Sequence, residues 1–159
     1  MTKYNEQDFL SDFINRTLTN LMYIQQAKKQ GQEVYEVTQL VNSFLGLIIL
    51  PQQYGDGLIM DTDICPILLE DLQNAITTNT YKGKRKEPTF NNILYHLRNA
   101  LSHGRLDFRN EEHDGKMQIS SIEFSDNDIK NKNQKFIITL NIEQIEQLTK
   151  CTIKNLNLL

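Results

Sequence analysis

The stretch TFNNILYHLRNALSHG, residues 89–104, decides the fold, because its apolar residues recur only at helical spacing. Phe90, Ile93, Leu94, Leu97 and Leu101 make one stripe, the kind that a helix buries against a core. Thr89 offers an N-capping oxygen, and Gly104 suits the left-handed residue that closes a helix. His96, Asn99 and His103 lie on the polar side, with Arg98 at the border of the stripe. At roughly 100° per residue, Arg98 and His103 diverge by about 140°. Asn99 lies one turn beneath His103, where it could orient the ring.

Further helices are expected on either side. Asp8 to Lys29 is periodic and ends before Gly31; Val34 to Leu50 begins amphipathic, finishes as FLGLIIL and stops at Pro51. Asp61-Thr62-Asp63 offers caps for a third helix, with Pro66 in its first turn and Ile67, Leu68, Leu72 and Ile76 following. TYKGKRKEP reads as a polar loop. After Gly104 the period becomes two: Leu106 and Phe108, Met117 and Ile119, Ile122 and Phe124, then Phe136, Ile138 and Leu140. The change of phase at Ser120-Ser121 marks a bulge. Asn141 with Gln144 caps a last helix whose inner face carries Ile142, Ile145, Leu148, Thr152 and Leu156. The expected architecture is mainly α and a single domain. It has a helical bundle over residues 5–104, a small antiparallel β-hairpin or meander over about 105–140, and a C-terminal helix over about 141–157.

Composition narrows the chemistry. The 159 residues suit one domain, and 39% apolar content is enough to bury a core. The longest apolar run, Phe44 to Leu50, is far short of the roughly 20 residues of a membrane span, and MTKYNEQDFL does not resemble a secretory signal. Cys65 and Cys151 stand far apart without a Cys or His at ligand spacing, so reduced core thiols and a cytoplasmic location are expected. Neither a metal cluster nor a glycine-rich phosphate loop is present in the pattern, and no metal or cofactor is expected.

The net charge of −3 conceals an asymmetry. Residues 1–80 carry 4 basic and 10 acidic side chains, whereas residues 81–109 carry 7 basic and 2 acidic. Lys82, Lys84, Arg85, Lys86, Arg98, Arg105 and Arg109 therefore gather around the 89–104 helix, as on a phosphate-binding surface. A charge run alone is usually a solvated loop; here it abuts a helix carrying Arg and His. RNA cleavage by its own 2′-hydroxyl needs a base, an acid and cationic donors for the phosphorane. Imidazole and guanidinium supply these without a metal. One chain offers one obvious His at the helix end, whereas a two-fold dimer would bring two copies of Arg98 and His103 together.

NILYHLRNALSHGRL resembles the signature of the HEPN family (higher eukaryotes and prokaryotes nucleotide-binding domains). Its motif is an Arg, a polar residue and a few variable positions before a His at a helix end, matched here by Arg98, Asn99 and His103. SFLGLIILPQQ and the hairpin-plus-helix tail resemble a small stand-alone bacterial branch. The resemblance implies a HEPN-like helical bundle, often homodimeric, and in many members a metal-independent endoribonuclease used as a toxin or in defence. It implies His103 as general base or acid, Arg98 on the transition-state phosphate and Asn99 orienting one of them. Lys82, Lys84, Arg85 and Arg105 would hold the RNA backbone, and an antitoxin or other protein partner is possible. HEPN toxins paired with a nucleotidyltransferase tend to carry His-x-Tyr after the motif, whereas Arg105 stands at the corresponding position.

Two other readings stay open. The chain could be a non-catalytic HEPN module binding RNA, nucleotide or a protein, or the face around Asn99 could serve only as a dimer interface. Tyr95 reads as an interface or surface residue and His113 as a loop residue; His96 could be a second proton-transfer group, although an exposed helix His is the commoner reading.

Overall fold

The computed structural model describes residues 9–54, 66–113 and 115–155. In chain order the elements are α1 (Phe9–Lys29), α2 (Glu36–Tyr54), α3 (Pro66–Asn74) and β1 (Ile76–Asn79). A 3-10 turn at Gly83–Arg85 leads to α4 (Phe90–Ser102), followed by β2 (Leu106–His113), β3 (Lys116–Asn127), β4 (Lys135–Asn141) and α5 (Ile142–Asn155). The strands form one antiparallel sheet in the order β1-β4-β3-β2. Among the described residues no helix is long and apolar enough to cross a membrane.

The expected helical bundle with a β appendage is therefore corrected to a mixed α/β architecture. The physical reason lies in the inward faces of β3 and β4. Ile122, Phe124, Phe136, Ile138 and Leu140 are all 2% exposed or less, in one core cluster with Phe90, Ile93, Leu94 and Leu97 of α4. The sheet is thus a wall of the core and not an attachment to it. Its fourth strand comes from a segment expected to extend the third helix. α3 ends at Asn74, and Ile76, expected on that helix, instead starts β1. The sequence there, ITTN, is rich in β-branched residues that favour a pleated edge.

Three other expectations change. α2 does not stop at Pro51 but continues to Tyr54. Proline there removes one N–H, and buried Val41, Phe44 and Leu47 already anchor the helix by packing. Cys151 is disulfide-bonded and not a reduced thiol, whereas Cys65 lies outside the described residues. His113 closes β2, opposite Lys116, rather than lying in a loop. The proposed caps at Asp61-Thr62-Asp63 also lie outside the described residues.

Local signals fare better. Pro66 opens α3, and Gly31 takes φ 77° just after α1. Arg109 pairs with Ser121 but Asn110 with Ile119, which leaves Ser120 as the extra residue of the expected bulge. Asn141 and Gln144 cap α5 reciprocally. The Asn141 N–H donates to Gln144 Oε1 at 3.0 Å, and the Gln144 N–H donates to Asn141 Oδ1 at 2.8 Å.

If the sheet is a core wall, Ile138→Ala and Leu97→Ala should each cost about 2–5 kcal/mol in one shared unfolding transition. Denaturation followed by circular dichroism checks this. A helical transition untouched by Ile138→Ala would return the strands to the status of an appendage.

Candidate functional site

α4 carries Arg98 and Asn99 and ends on His103, and both its ends are closed by specific hydrogen bonds. At the start, Thr89 Oγ1 accepts from the Asn92 N–H. At the end, His103 is the C-cap, and Gly104 follows with φ 61°. The Arg105 N–H donates to the Ala100 carbonyl at 2.9 Å and the Gly104 N–H to the Leu101 carbonyl at 3.1 Å. This is a Schellman closure, and the helix stays regular up to it. Arg98 and His103 consequently remain about 140° apart around the axis and about 7.5 Å apart along it. No side-chain hydrogen bond or ring contact joins Arg98, Asn99 and His103 to one another among the described residues. The His103 side chain is exposed.

The amide of Asn99 turns away from His103. Its Nδ2 donates to Asp126 Oδ2 of β3 at 3.1 Å. The same oxygen accepts from Tyr81 Oη at 3.1 Å and lies 2.7 Å from His96 Nδ1, which places a ring proton on Nδ1. His96, expected to be exposed, is 1% exposed. Its ring stacks on Phe136 at 4.2 Å, and Tyr81 stands 4.5 Å away. The sheet covers the side of α4 that a simple bundle would have left to solvent. His96 Nε2 is buried without a hydrogen-bond partner.

Burial alone would raise the Asp126 pKa. The hydrogen bonds from His96 and Asn99, with that from Tyr81, outweigh it and hold the carboxyl below its usual value. Burial first, and then the Asp126 charge and hydrogen bond, push the Tyr81 phenol well above its ordinary range.

The basic loop is fastened to the same helix. Asn92 Nδ2 donates to the Lys84 and Glu87 carbonyls at 2.7 and 2.8 Å, and its Oδ1 accepts from Arg85 Nη1 at 2.9 Å. The Arg85 guanidinium then lies over the Tyr95 ring, 3.7 Å from its centroid. The Arg98 guanidinium is 5.3 Å from that centroid, and Arg98 Nε is buried without a partner. Arg105 Nη1 donates to the Asn127 carbonyl at 3.1 Å. Lys82 and Lys84 are exposed.

Sequence reasoning passed over Asp126, Tyr81 and Asn92. For Asp126 a signal existed: Ile122, Phe124 and Asp126 share the two-residue period of a strand face, so the carboxylate points inward with its apolar neighbours. Among the described residues, no three His, Cys, Asp or Glu side chains gather in an arrangement that could hold a metal.

Because the folded Asp126 pKa is depressed, its contribution to stability is complete above the ordinary value of 3.8. It is lost as pH falls through the lower folded value. Asp126→Asn should lower stability at neutral pH, since it removes the charge that three donors surround. It should also flatten the loss of stability that sets in as pH falls below the ordinary carboxyl value of 3.8. Urea midpoints above and below that value give the test, and parallel acid limbs in the two proteins would contradict the assignment.

No curated protein and no solved structure matches the chain. A family model does: the one described as HEPN pEK499 p136 matches residues 1–156, almost the whole length. With its motif helix as described, the chain belongs to the HEPN pEK499 p136 family.

Proposed function

We propose that the protein is a metal-independent endoribonuclease of HEPN type, a toxin or defence enzyme acting on RNA. Membership of the family supports nuclease or toxin-like chemistry in general. One observation carries the finer reading. α4 presents an exposed imidazole, His103, at a rigid C-cap, and the same helix bears Arg98 without a carboxylate partner among the described residues.

In this reading the His103 imidazole takes the proton of a ribose 2′-hydroxyl, and the oxygen attacks the adjacent phosphorus. The guanidinium of Arg98 stabilises the charge on the phosphorane. The bond to the 5′-oxygen breaks as that oxygen receives a proton, leaving a 2′,3′-cyclic phosphate and a 5′-hydroxyl. A second proton-transfer group is needed, and the divergence of Arg98 from His103 keeps one chain from closing the site alone. A two-fold homodimer supplies the second copy of each. Lys82, Lys84, Arg85 and Arg105 hold the RNA backbone. Asn99 acts through Asp126, fixing the rotation of α4 and with it the direction in which Arg98 and His103 face.

That same divergence also favours a second reading, a HEPN module that binds RNA, nucleotide or a protein partner without cleaving. Purified wild type and His103→Ala, incubated with mixed RNA in excess chelator, separate the two. The nuclease reading expects cyclic-phosphate and 5′-hydroxyl ends from wild type and at least a ~100-fold loss of rate in the variant. Equal cleavage by both proteins would remove His103 from the site. Salt-sensitive RNA binding without cleavage by either would establish the module.

A further inference from the structure

Tyr95, Arg85 and Arg98 form a cluster that RNA cleavage at His103 does not require as a unit. Arg85 comes from the 3-10 turn and Arg98 from α4, yet both bring their guanidinium groups to one ring, at 3.7 and 5.3 Å from its centroid. Neither is ion-paired among the described residues. Arg85 is held by the neutral amide of Asn92, which orients the guanidinium without neutralising it. The Tyr95 ring is half-buried and set edge-on against buried His96, with centroids 5.3 Å apart and planes at 77°. Arg98 Nε is withdrawn from water without a partner.

The face of an aromatic ring attracts each cation but leaves their mutual repulsion uncompensated. An anion shared between the two guanidinium groups compensates it. Planar, always-charged forks match the oxygens of a phosphate better than a lysine does. The asparagine clamp holds Arg85 in place before any ligand arrives, which reduces the ordering cost of binding.

We propose that Arg85, Tyr95 and Arg98 form a phosphate subsite that takes one phosphodiester group of an RNA strand. The proposal rests on the reading of α4 as an RNA-facing helix. It makes Tyr95 the platform that aligns Arg85 and makes Arg85 a binding residue distinct from the freely solvated lysines of its loop.

The test uses the full-length protein and a fluorescein-labelled 2′-O-methyl RNA 12-mer, whose blocked 2′-oxygens prevent cleavage. Anisotropy is measured between about 50 and 200 mM salt. Arg85→Gln should weaken binding about 5- to 10-fold and reduce the salt slope by about one. Lys150→Gln, which removes a remote cation from α5, should change affinity less than about 2-fold. Tyr95→Leu should approach the loss seen in Arg85→Gln, and Tyr95→Phe, which keeps the ring, should bind like wild type. Thermal melts of each variant confirm folding, and Arg85→Lys should fall between wild type and Arg85→Gln.

Equal, small effects of Arg85→Gln and Lys150→Gln would overturn the subsite, as would an absence of probe binding by wild type. Displacement of the probe by inorganic phosphate as efficiently, per phosphate, as by unlabelled RNA would reassign the site to free phosphate and overturn the polynucleotide assignment. The outcome is separable from that of the nuclease reading, because the probe cannot be cut. Arg85-dependent binding without any cleavage retains the subsite and removes the nuclease. His103-dependent cleavage with unchanged Arg85→Gln binding does the reverse.

Discussion

One carboxylate oxygen organises this molecule. Asp126 Oδ2 receives His96 Nδ1, Asn99 Nδ2 and Tyr81 Oη, and so joins α4, β3 and the segment leading into the basic turn. A buried charge is tolerated only when donors surround it, and these donors sit at i and i+3 of one helix and on a separate segment. Moving α4 by rotation or by one residue would strand the carboxylate. The rotation of α4 on the sheet is therefore set by polar geometry as well as by its apolar stripe.

That constraint divides the helix. Phe90, Ile93, Leu94, Leu97 and Leu101 face the core, and His96 and Asn99 are committed to Asp126. What is left for solvent or a partner is Asn91 near the start, the border with Tyr95 and Arg98, and the C-terminal end with Ser102 and His103. Asn92 does for the basic turn what Asp126 does for the helix, holding its backbone through two carbonyl contacts and orienting the Arg85 guanidinium through a third. The two histidines of α4 consequently have different physical lives, one enclosed by aromatic rings and one at the water interface.

How legible this was depends on the range of the interactions. The α4 stripe, the Thr89 cap, the Gly104 closure, the Asn141–Gln144 box and the Ser120 bulge are each determined by residues within a few positions, and the sequence pattern showed them. The misreading of the sheet as an appendage and of His96 as exposed have one cause. Nothing local in YHLRN tells whether Phe136 and Asp126, 40 and 30 residues onward, will cover that side of the helix. Ile76 was misplaced because an apolar residue at helical spacing from Leu72 fits a helix as well as a strand. The loop reading of TYKGKRKEP missed Tyr81 and the Asn92 clamp, since a side chain fastening backbone carbonyls leaves no periodic trace. Within the motif, Arg98 and His103 were legible as residue types, whereas the partner of Asn99 was not.

The division between an enclosed and a reactive histidine is the central claim, and side-chain nitrogen NMR of the histidines tests it most directly. Full-length protein is titrated with the uncleavable 2′-O-methyl RNA while the imidazole signals of His96 and His103 are followed. The account predicts that His103 shifts on RNA addition, while His96 keeps a slowly exchanging Nδ1 proton and an unchanged position. Movement of His96 with a stationary His103 would contradict it and place the ligand on the covered side of α4.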